Sequence, residues 1–370
     1  MRSVNLIRKH TLVSILTFTL ISVSNAQSFE DLLSIGPEDA GTYLESYISP
    51  AMQSFGVGMA GNWYNTAKPH KLLGFDVTVG ASIANIPDAE KLFTFNSANF
   101  QNLQYSGGNN SNLPTLVGGP ATGELFINAD QQIENPQTGE SITIENDIRF
   151  AAPDGVDLED LPIVGTPAPS LQIGVGLIKN TEVKIRFIPT SLIESDNFQS
   201  PRYFGIGVLH DFKQWIPGMK LMPFDLSAFF GWTTLEATQS LSVDVSEGDG
   251  SFTTGVSGEG EAVLAASATT FQVLISKKLA VLTPYAGVGF NVVRSSIQVN
   301  GDYEISVSES LSGETETLEY VDPVDLQFDG AGGPRLTVGA RLKLLILTIH
   351  ADYTLQKYNT FSAGIGLSIR

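Results

Sequence analysis

The sequence predicts an all-β protein: a closed antiparallel transmembrane β-barrel of about 12 strands (about 10 to 14), with a short N-terminal helical segment. Three observations predict this fold class. Apolar and polar residues alternate over many short segments, short and long links alternate between those segments, and the first residues have the composition of an export signal.

The first 26 residues have the order of a secretory signal peptide. Met1–His10 is basic, Thr11–Val23 is apolar, and Ser24–Ala26 supplies small residues before Gln27. The apolar run is shorter than the roughly 20 residues that a spanning helix needs. We therefore expect residues 1–26 to be cleaved and the mature chain to be exported.

The composition excludes several kinds of site. The formal net charge is −18 at pH 7 and cysteine is absent, so neither disulfides nor thiolate metal sites can form. So acidic a surface repels nucleic acid. The acidic segments lack the spacing of an EF-hand, and we expect no metal and no cofactor.

Ten segments alternate with period two. In Phe361–Ile369, the odd positions are apolar and the even positions are Ser or Gly. The other nine segments are Phe75–Ile83, Leu171–Leu177, Val183–Phe187, Tyr203–His210, Phe224–Leu235, Thr270–Ile275, Leu282–Val293, Leu336–Leu342 and Leu347–Leu355. Such alternation predicts strands with one apolar and one polar face.

The chemistry of the two faces favours a membrane barrel over a soluble sandwich. The apolar face carries almost no charge, whereas the polar face carries glycine and charged residues, as a wet lumen does. Aromatic residues that fit an interfacial girdle lie near the strand ends: Tyr203, Trp215, Trp232, Tyr353, Tyr358 and Phe361. Backbone groups in lipid must all be paired, which requires closure.

The links between segments set the predicted topology. Asn180–Thr181, Lys277–Ala280 and Lys343–Leu344 are short, as periplasmic turns are. We expect the barrel to span residues 66–370, with both chain ends periplasmic and long extracellular loops at 86–170, 189–202, 239–261 and 300–333. Two further strands at Leu125–Ala129 and Ile142–Phe150 would bring the count to about twelve. If they form an extracellular hairpin instead, the count stays at ten.

The segment 27–65 differs from the rest. Pro37 and two acidic residues suit a first helical turn, and apolar residues follow at helical spacing. We predict a short helix and a plug or periplasmic cap, with Tyr43, Leu44, Tyr47, Trp63, Tyr64 and Asn65 as candidate plug residues. The alternative is a flexible leader with an extra strand at Ser54–Trp63.

Three stretches carry a family resemblance. Trp63–Lys71, Gly74–Asp76 and His210–Pro217 resemble an uncharacterised family of Bacteroidota-type outer-membrane proteins, over most of the mature chain. Tyr64–Ala67 is also similar to the plug-to-barrel junction of long-chain fatty acid transporters, with Thr66 in place of the proline of that junction. These resemblances imply a bacterial outer-membrane location and a role in moving hydrophobic compounds.

Charged residues on the polar face are the candidate lumen-lining residues. They are Asp76, Lys184, Arg186, Asp225, Arg335, Arg341, Lys343, His350 and Asp352. The basic ones could form a lane for anionic solutes, or pair with the carboxylates and seal the lumen. His350 and Asp352 share a face and could orient a general base, but no G-x-S-x-G motif is present. We expect no enzymatic activity.

Three functions follow from this fold. The first is passive, porin-like transport or binding of a small solute, hydrophobic compounds included. The second is a structural or surface-interaction barrel with a closed lumen, and the third is a barrel hydrolase. The expected partners are outer-membrane lipid and the barrel assembly machinery, with a small hydrophobic solute for the first function.

Overall fold

The computed structural model describes residues 34–156, 163–188, 199–248, 252–309 and 314–369, together with Leu32. Within these ranges, no helix combines the length and the apolar character needed to cross a membrane. The predicted signal peptide, residues 1–26, lies outside the described residues.

The helical elements of the described chain are few. The long helix α1 spans Pro37–Met59. Single-turn 3-10 helices lie at Asp88–Glu90, Ser97–Asn99, Lys213–Trp215 and Met219–Leu221.

Strands make up most of the described chain. In chain order they are β1 Phe75–Ala84, β2 Leu92–Thr94, β3 Gln104–Tyr105, β4 Asn112–Pro114, β5 Glu124–Ile127, β6 Gln131–Glu134, β7 Ser141–Ile144, β8 Ile148–Ala151, β9 Pro167–Leu177, β10 Thr181–Phe187, β11 Gln199–His210, β12 Asp225–Gly248, β13 Phe252–Ser276, β14 Leu282–Glu309, β15 Thr315–Val321, β16 Val324–Asp329, β17 Gly333–Leu344, β18 Leu347–Leu355 and β19 Thr360–Ile369.

The long strands close into a ring in which every neighbouring pair is antiparallel. The order around the ring is β1–β9–β10–β11–β12–β13–β14–β17–β18–β19 and back to β1. The pairing of β13 with β14 and of β1 with β19 leaves the ring without an edge. The predicted closed antiparallel barrel is therefore confirmed.

The two faces of the wall have the predicted chemistry. Apolar residues such as Val338 and Ile365 point outward, and each is 58% exposed. Polar residues on alternate positions, such as Arg186 and His350, point inward and are at most 2% exposed. Because side chains alternate along a strand, the ten predicted segments each place their polar face in the lumen.

The large sheet contains twelve strands: the ten of the ring and two more. The two additional strands do not come from residues 86–170, where the sequence had suggested two further strands. β15 and β16 pair with β14 above the ring. The segments around Leu125 and Ile142 form β5 and β7, which lie in two small sheets outside the ring: β5 pairs with β8, and β7 pairs with β6. Neither segment adds a strand to the barrel, so the ring has ten strands. With four residues each, β5 and β7 are shorter than the roughly 9–11 residues that a spanning strand needs.

The prediction of extracellular loops at 239–261 and 300–333 is wrong, because the described residues of these segments lie mostly in strands. β12, β13 and β14 contain 24, 25 and 28 residues and continue far beyond the length of a membrane-spanning strand. We call their extensions, together with β15 and β16, the outer wall. The ring end joined by short links is called the short-turn end, and the opposite end is the long-link end.

The pattern along β14 explains why the outer wall was missed. In its first half, Val288 and Phe290 point outward and are exposed, while polar Asn291 points inward. In its second half the chemistry inverts, because apolar Val299 and Ile305 now point inward and are buried. Apolar and polar residues alternate along the whole strand, but the apolar residues point outward before about residue 293 and inward after it.

Helix α1 is longer than predicted and begins at the long-link end. Its start packs against Ile133, and Asp39 accepts backbone hydrogen bonds from residues 101–103. The helix runs through Pro50 to Met59, so the alternative strand at Ser54–Trp63 is wrong. Burial of Ala51, Met52 and Phe55 in the core stabilises the helix beyond the proline.

The chain then descends through the ring. We call residues 60–71 the lumen segment. It leaves α1 near the long-link end and reaches the short-turn end at Lys71, where β1 begins a few residues later. The first strand thus begins, and the last strand ends, at the short-turn end, while the N-terminal end of the chain lies outside the described residues.

Candidate functional site

The candidate site is the lumen, where the lumen segment contacts the inward-facing side chains of the wall. At its upper end, α1 ends with carbonyl groups that have no partner one turn further along the helix. Its last turn has no basic residue of its own. The barrel wall supplies the positive charge instead.

Two wall arginines bind these terminal carbonyls. Arg186 donates to the carbonyl oxygens of Met59 and Gly61, both at 2.9 Å. Arg335 donates to the carbonyl oxygen of Ala60 at 2.9 Å. Cations are favourable at a helix C-terminus, where the helix dipole is negative. The two arginines therefore fix the point at which the helix enters the barrel.

Trp63 is buried in the lumen, where its indole ring packs against β10, β11 and β12. The guanidinium of Arg186 lies 3.8 Å from the centre of the indole ring. Three wall glycines make room for the ring, because a Cβ at any of them would lie 2.9–3.1 Å from an indole carbon; these are Gly205, Gly207 and Gly231. The glycine-rich polar face is thus partly explained by the bulk of this residue.

Aromatic contacts extend from Trp63 across the lumen. Phe229 packs against both Trp63 and Tyr64, with ring centroids 5.7 and 5.4 Å apart. Tyr64 also contacts the ring of Tyr285 and hydrogen-bonds the side chain of Gln272. These buried residues form a small apolar core inside the ring.

Asn62 connects three ring strands. Its amide nitrogen donates to the hydroxyl of Ser170 on β9 at 3.1 Å and to the carbonyl oxygen of Ala363 on β19 at 3.4 Å. Its amide oxygen lies 2.7 Å from Nε2 of His350 on β18. Asp352, the other member of the proposed catalytic pair, accepts a hydrogen bond from Tyr285 at 2.8 Å. His350 and Asp352 share a face as predicted, but each contacts a different partner.

Further down, polar side chains hold the chain to the wall. Arg341 donates to the side chain of Asn65 at 3.0 Å. The backbone N–H of Ala67 donates to Ser276 at 3.0 Å, and its carbonyl accepts from Ser227 at 2.5 Å. Lys68 lies 3.6 Å from Asp225 at the rim.

A buried ionic cluster closes the short-turn end. Nδ1 of His70 lies 2.7 Å from Glu182, and Nζ of Lys184 lies 2.6 Å from the other oxygen of that carboxylate. Asp76 lies 3.7 Å from Lys184 and 3.8 Å from His70. Lys343 donates to Ser368, whose hydroxyl also contacts Nε2 of His70.

This cluster contains a set of groups that could hold a metal ion. The ligand atoms of His70, Asp76 and Glu182 all lie within 4.8 Å of one another and are buried. Lys184 places an ammonium group beside both carboxylates. The positive charge that a metal would supply is therefore already provided by the chain.

The six candidate plug residues lie in two different parts of the structure. Trp63, Tyr64 and Asn65 lie in the lumen segment and contact the wall. Tyr43, Leu44 and Tyr47 are buried in α1 above the ring. Burial raises the pKa of the Tyr43 phenol well above its ordinary value, and the phenol groups of Tyr47 and Tyr105 add to the shift. Burial and then Asp154 raise the pKa of Tyr47.

Several wall residues that contact the lumen segment are not among the predicted site residues: Gln172, Glu182, Ser227, Thr270, Gln272 and Ser276. Glu182 could have been found, because it shares the inward parity of Lys184 and Arg186. The uncharged residues gave no such signal, since Ser, Thr and Gln occur on any polar face.

These features define a class of protein: a closed β-barrel whose lumen is occupied by the chain's own N-terminal segment. The chain belongs to a family of unknown function, DUF6588, whose model matches residues 7–369.

Solved structures similar to the chain include two autotransporter domains. The translocator domain of NalP from Neisseria meningitidis is 11% identical, with a TM-score of 0.27 over 81% of this chain and 90% of that one. The transport unit of AIDA-I from Escherichia coli is 10% identical, with a TM-score of 0.26 over 88% and 99%. No curated protein matches the chain significantly.

Proposed function

We propose that this protein is a bacterial outer-membrane β-barrel with a closed lumen, which acts at the cell surface as a structural or interaction protein. One observation carries the proposal. The lumen segment is hydrogen-bonded to β9, β10, β12, β13, β17, β18 and β19, on all sides of the ring. A solute crossing the lumen would have to break these contacts.

The outer face supports placement in a membrane. Nine residues of β18 run from Leu347 to Leu355, which is about 30 Å of strand and matches the length of a tilted spanning strand. The outward residues of this strand are apolar, and the change of face on β14 near residue 293 gives the upper limit of the lipid contact. Above it, the outward positions include Asp302 and Glu304.

The long-link end supports an activity at the surface. The outer wall, α1 and the first long link share one apolar core, which includes Ile144, Val256 and Leu326. Side chains also connect the parts, since Asn135 donates to the carbonyl of Glu319 and Thr254 donates to Asn146. The chain thus builds a folded, acidic structure on top of the barrel.

Passive transport is the alternative function. The resemblance of Tyr64–Ala67 to the plug junction of fatty acid transporters favours a hydrophobic solute. That function requires release of the lumen segment, whereas the proposed one requires that it stay in place. In the proposed function His350 anchors Asn62, and the protein has no enzymatic activity.

Conductance in planar bilayers separates the two functions. We expect the full-length mature protein to show no steady conductance at moderate voltage, because the lumen segment fills the ring. A variant with Arg186, Arg335 and Arg341 all changed to Ala should open intermittently. Steady conductance of the unchanged protein would contradict the closed lumen.

Epitope insertion tests the surface location. Gly108 lies in a turn at the long-link end with open space around it, and Ala280 lies in an exposed turn at the short-turn end. We expect an epitope after Gly108 to be detected on intact cells, and one after Ala280 only after permeabilisation. The reverse labelling would overturn the orientation.

A further inference from the structure

The links at the short-turn end carry exposed apolar residues. Leu73 precedes β1 and is 77% exposed, and Ile178 lies between β9 and β10 and is 67% exposed. Leu221 and Leu345, in two other links, are 91% and 92% exposed, and Val281 is exposed in the fifth. Turns in water are normally polar, because exposed apolar surface is unfavourable there.

The same links are basic in an otherwise acidic protein. They contain Lys71, Lys179, Lys213, Lys220, Lys277 and Lys278. Asp211, which is partly buried, is the one acidic residue of these five links. The links are residues 71–74, 178–180, 211–224, 277–281 and 345–346, which the structure describes in full. At the opposite end, exposed residues such as Glu140 and Glu316 are acidic. The molecule therefore has a basic, apolar end and an acidic end.

We propose that the short-turn end is a binding surface for anionic phospholipid headgroups, with its apolar turn residues inserted among the lipids. Lysines attract a layer of anionic headgroups, and their aliphatic stems can lie along apolar surface while the ammonium groups reach the phosphates. We call this annulus of turn residues the basic rim.

Two observations favour lipid over a protein partner. The apolar residues occur on all five links, so they encircle the barrel as a leaflet does, whereas a docked protein would cover one side. The basic rim is also continuous with the lipid-facing belt, since exposed Leu177 is followed by Ile178 and exposed Leu347 is preceded by Ile346. The proposal rests on the membrane placement argued above.

The three tryptophans of the chain allow a direct test. Trp215 is 62% exposed on the basic rim, Trp232 lies on the outer face of β12, and Trp63 is buried in the lumen. The full-length protein is reconstituted into bilayers that contain phosphatidylglycerol and phosphatidylcholine in equal amounts. Brominated acyl chains, which quench tryptophan fluorescence, are placed on one lipid or the other. The quenching of Trp215 is obtained by subtracting the fluorescence of Trp215→Phe from that of the unchanged protein in each bilayer.

We expect brominated phosphatidylglycerol to quench Trp215 about twofold more than brominated phosphatidylcholine does, because the lysines enrich the anionic lipid around the rim. Changing Lys179, Lys220, Lys277 and Lys278 to Gln should abolish this preference. The matched control changes Lys91, Arg202 and Lys357, which are cations at the long-link end, to Gln and should preserve it.

Equal quenching of Trp215 by the two lipids would overturn the proposal, and so would a preference that survives loss of the rim lysines. Quenching of Trp215 by aqueous acrylamide but by neither lipid would place the rim in water, available to a protein partner, and would also overturn it. Trp232, on the outer face of the barrel, reports separately whether the barrel is inserted in the bilayer. If Trp232 is quenched by neither lipid, the barrel itself is not inserted.

Discussion

Arg186 lies over the indole ring of Trp63 while its guanidinium nitrogens donate to the carbonyls of Met59 and Gly61. One wall residue thus binds both the end of α1 and the side chain of Trp63 in the lumen. Arg186 is 1% exposed, so its charge is compensated by these contacts and not by water.

Replacing Arg186 should therefore loosen the lumen segment. We expect Arg186→Ala to lower the free energy of unfolding by about 3 kcal/mol, from two charge-assisted hydrogen bonds and one cation–π contact. Arg186→Lys should restore only a minor part, because an ammonium lacks the forked geometry. Denaturant unfolding in detergent, followed by gel mobility, measures the change.

Arg202 provides the control, since its side chain is 77% exposed and lies 4.0 Å from Glu236. Arg202→Ala should change stability by less than about 0.5 kcal/mol. Equal effects at the two arginines would show that the contact with Trp63 does not hold the segment.

Gly80 tests how closely the lumen segment fits the wall. A Cβ at this position would lie 2.1 Å from the Asn62 amide nitrogen and 2.5 Å from the carbonyl oxygen of Ala363. We expect Gly80→Ala to destabilise the protein by about 2–3 kcal/mol, because it overpacks the site and displaces Asn62 from His350. Thermal unfolding by circular dichroism measures this.

The matched change is Gly41→Ala in α1, where a Cβ would meet only Leu326, at 3.9 Å. That variant should gain about 0.5–1 kcal/mol from the higher helix propensity of alanine. If Gly80→Ala were as stable as Gly41→Ala, the lumen would have more room than the structure shows.

Two neighbouring tyrosines of α1 should respond in opposite directions to loss of the hydroxyl group. The hydroxyl of Tyr43 is buried without a hydrogen-bond partner, whereas that of Tyr47 donates to the carbonyl of Asp154 at 2.6 Å. We expect Tyr43→Phe to be neutral or to stabilise by up to about 1 kcal/mol, and Tyr47→Phe to destabilise by about 1 kcal/mol. A shared direction in urea unfolding would contradict these assignments.

The ionic cluster at the short-turn end makes a prediction about metal binding. Lys184→Met should leave Asp76 and Glu182 buried without the ammonium group and cost about 3–5 kcal/mol. Because the ligand atoms of His70, Asp76 and Glu182 lie within 4.8 Å of one another, Zn²⁺ should raise the unfolding temperature of this variant.

Zn²⁺ should have little effect on the unchanged protein, where Lys184 supplies the positive charge. It should also have little effect on Lys184→Met combined with Asp76→Asn and Glu182→Gln, because two ligands are then lost. Stabilisation of the unchanged protein to the same extent would show that Lys184 does not exclude the ion.

Much of the barrel could be predicted from the sequence, because the outward and inward sides of the ring strands differ sharply in polarity. Phe361–Ile369 shows this at every position. The outer wall could not be found by the same rule, since its apolar residues, such as Val299 and Ile305, point inward. A rule that expects one fixed apolar face treats such a strand as a polar loop.

The candidate site was predicted less completely. Charged residues such as Arg186 and Arg341 could be assigned to the lumen, because the opposite face of their strands is apolar. Their partners could not be assigned, since carbonyl groups such as that of Gly61 leave no trace in the sequence. The direction of α1 depends on contacts with Ile133 and residues 101–103, which are distant in the chain.

Disulfide trapping tests most directly whether the N-terminal segment occupies the barrel. The chain has no cysteine, and a Cβ on Gly58 would lie 3.0 Å from the Cβ of Ala168 on β9. A disulfide, whose Cβ atoms are about 3.5–4.5 Å apart, therefore needs the two residues to separate by only about 1 Å. Gly58→Cys with Ala168→Cys should crosslink nearly completely in the native protein in cells, as read by mass spectrometry of unreduced peptides. Gly58→Cys with Ser276→Cys, at the far end of the lumen, should not crosslink. Absence of the first crosslink, or equal yields of the two, would contradict a segment fixed inside the ring.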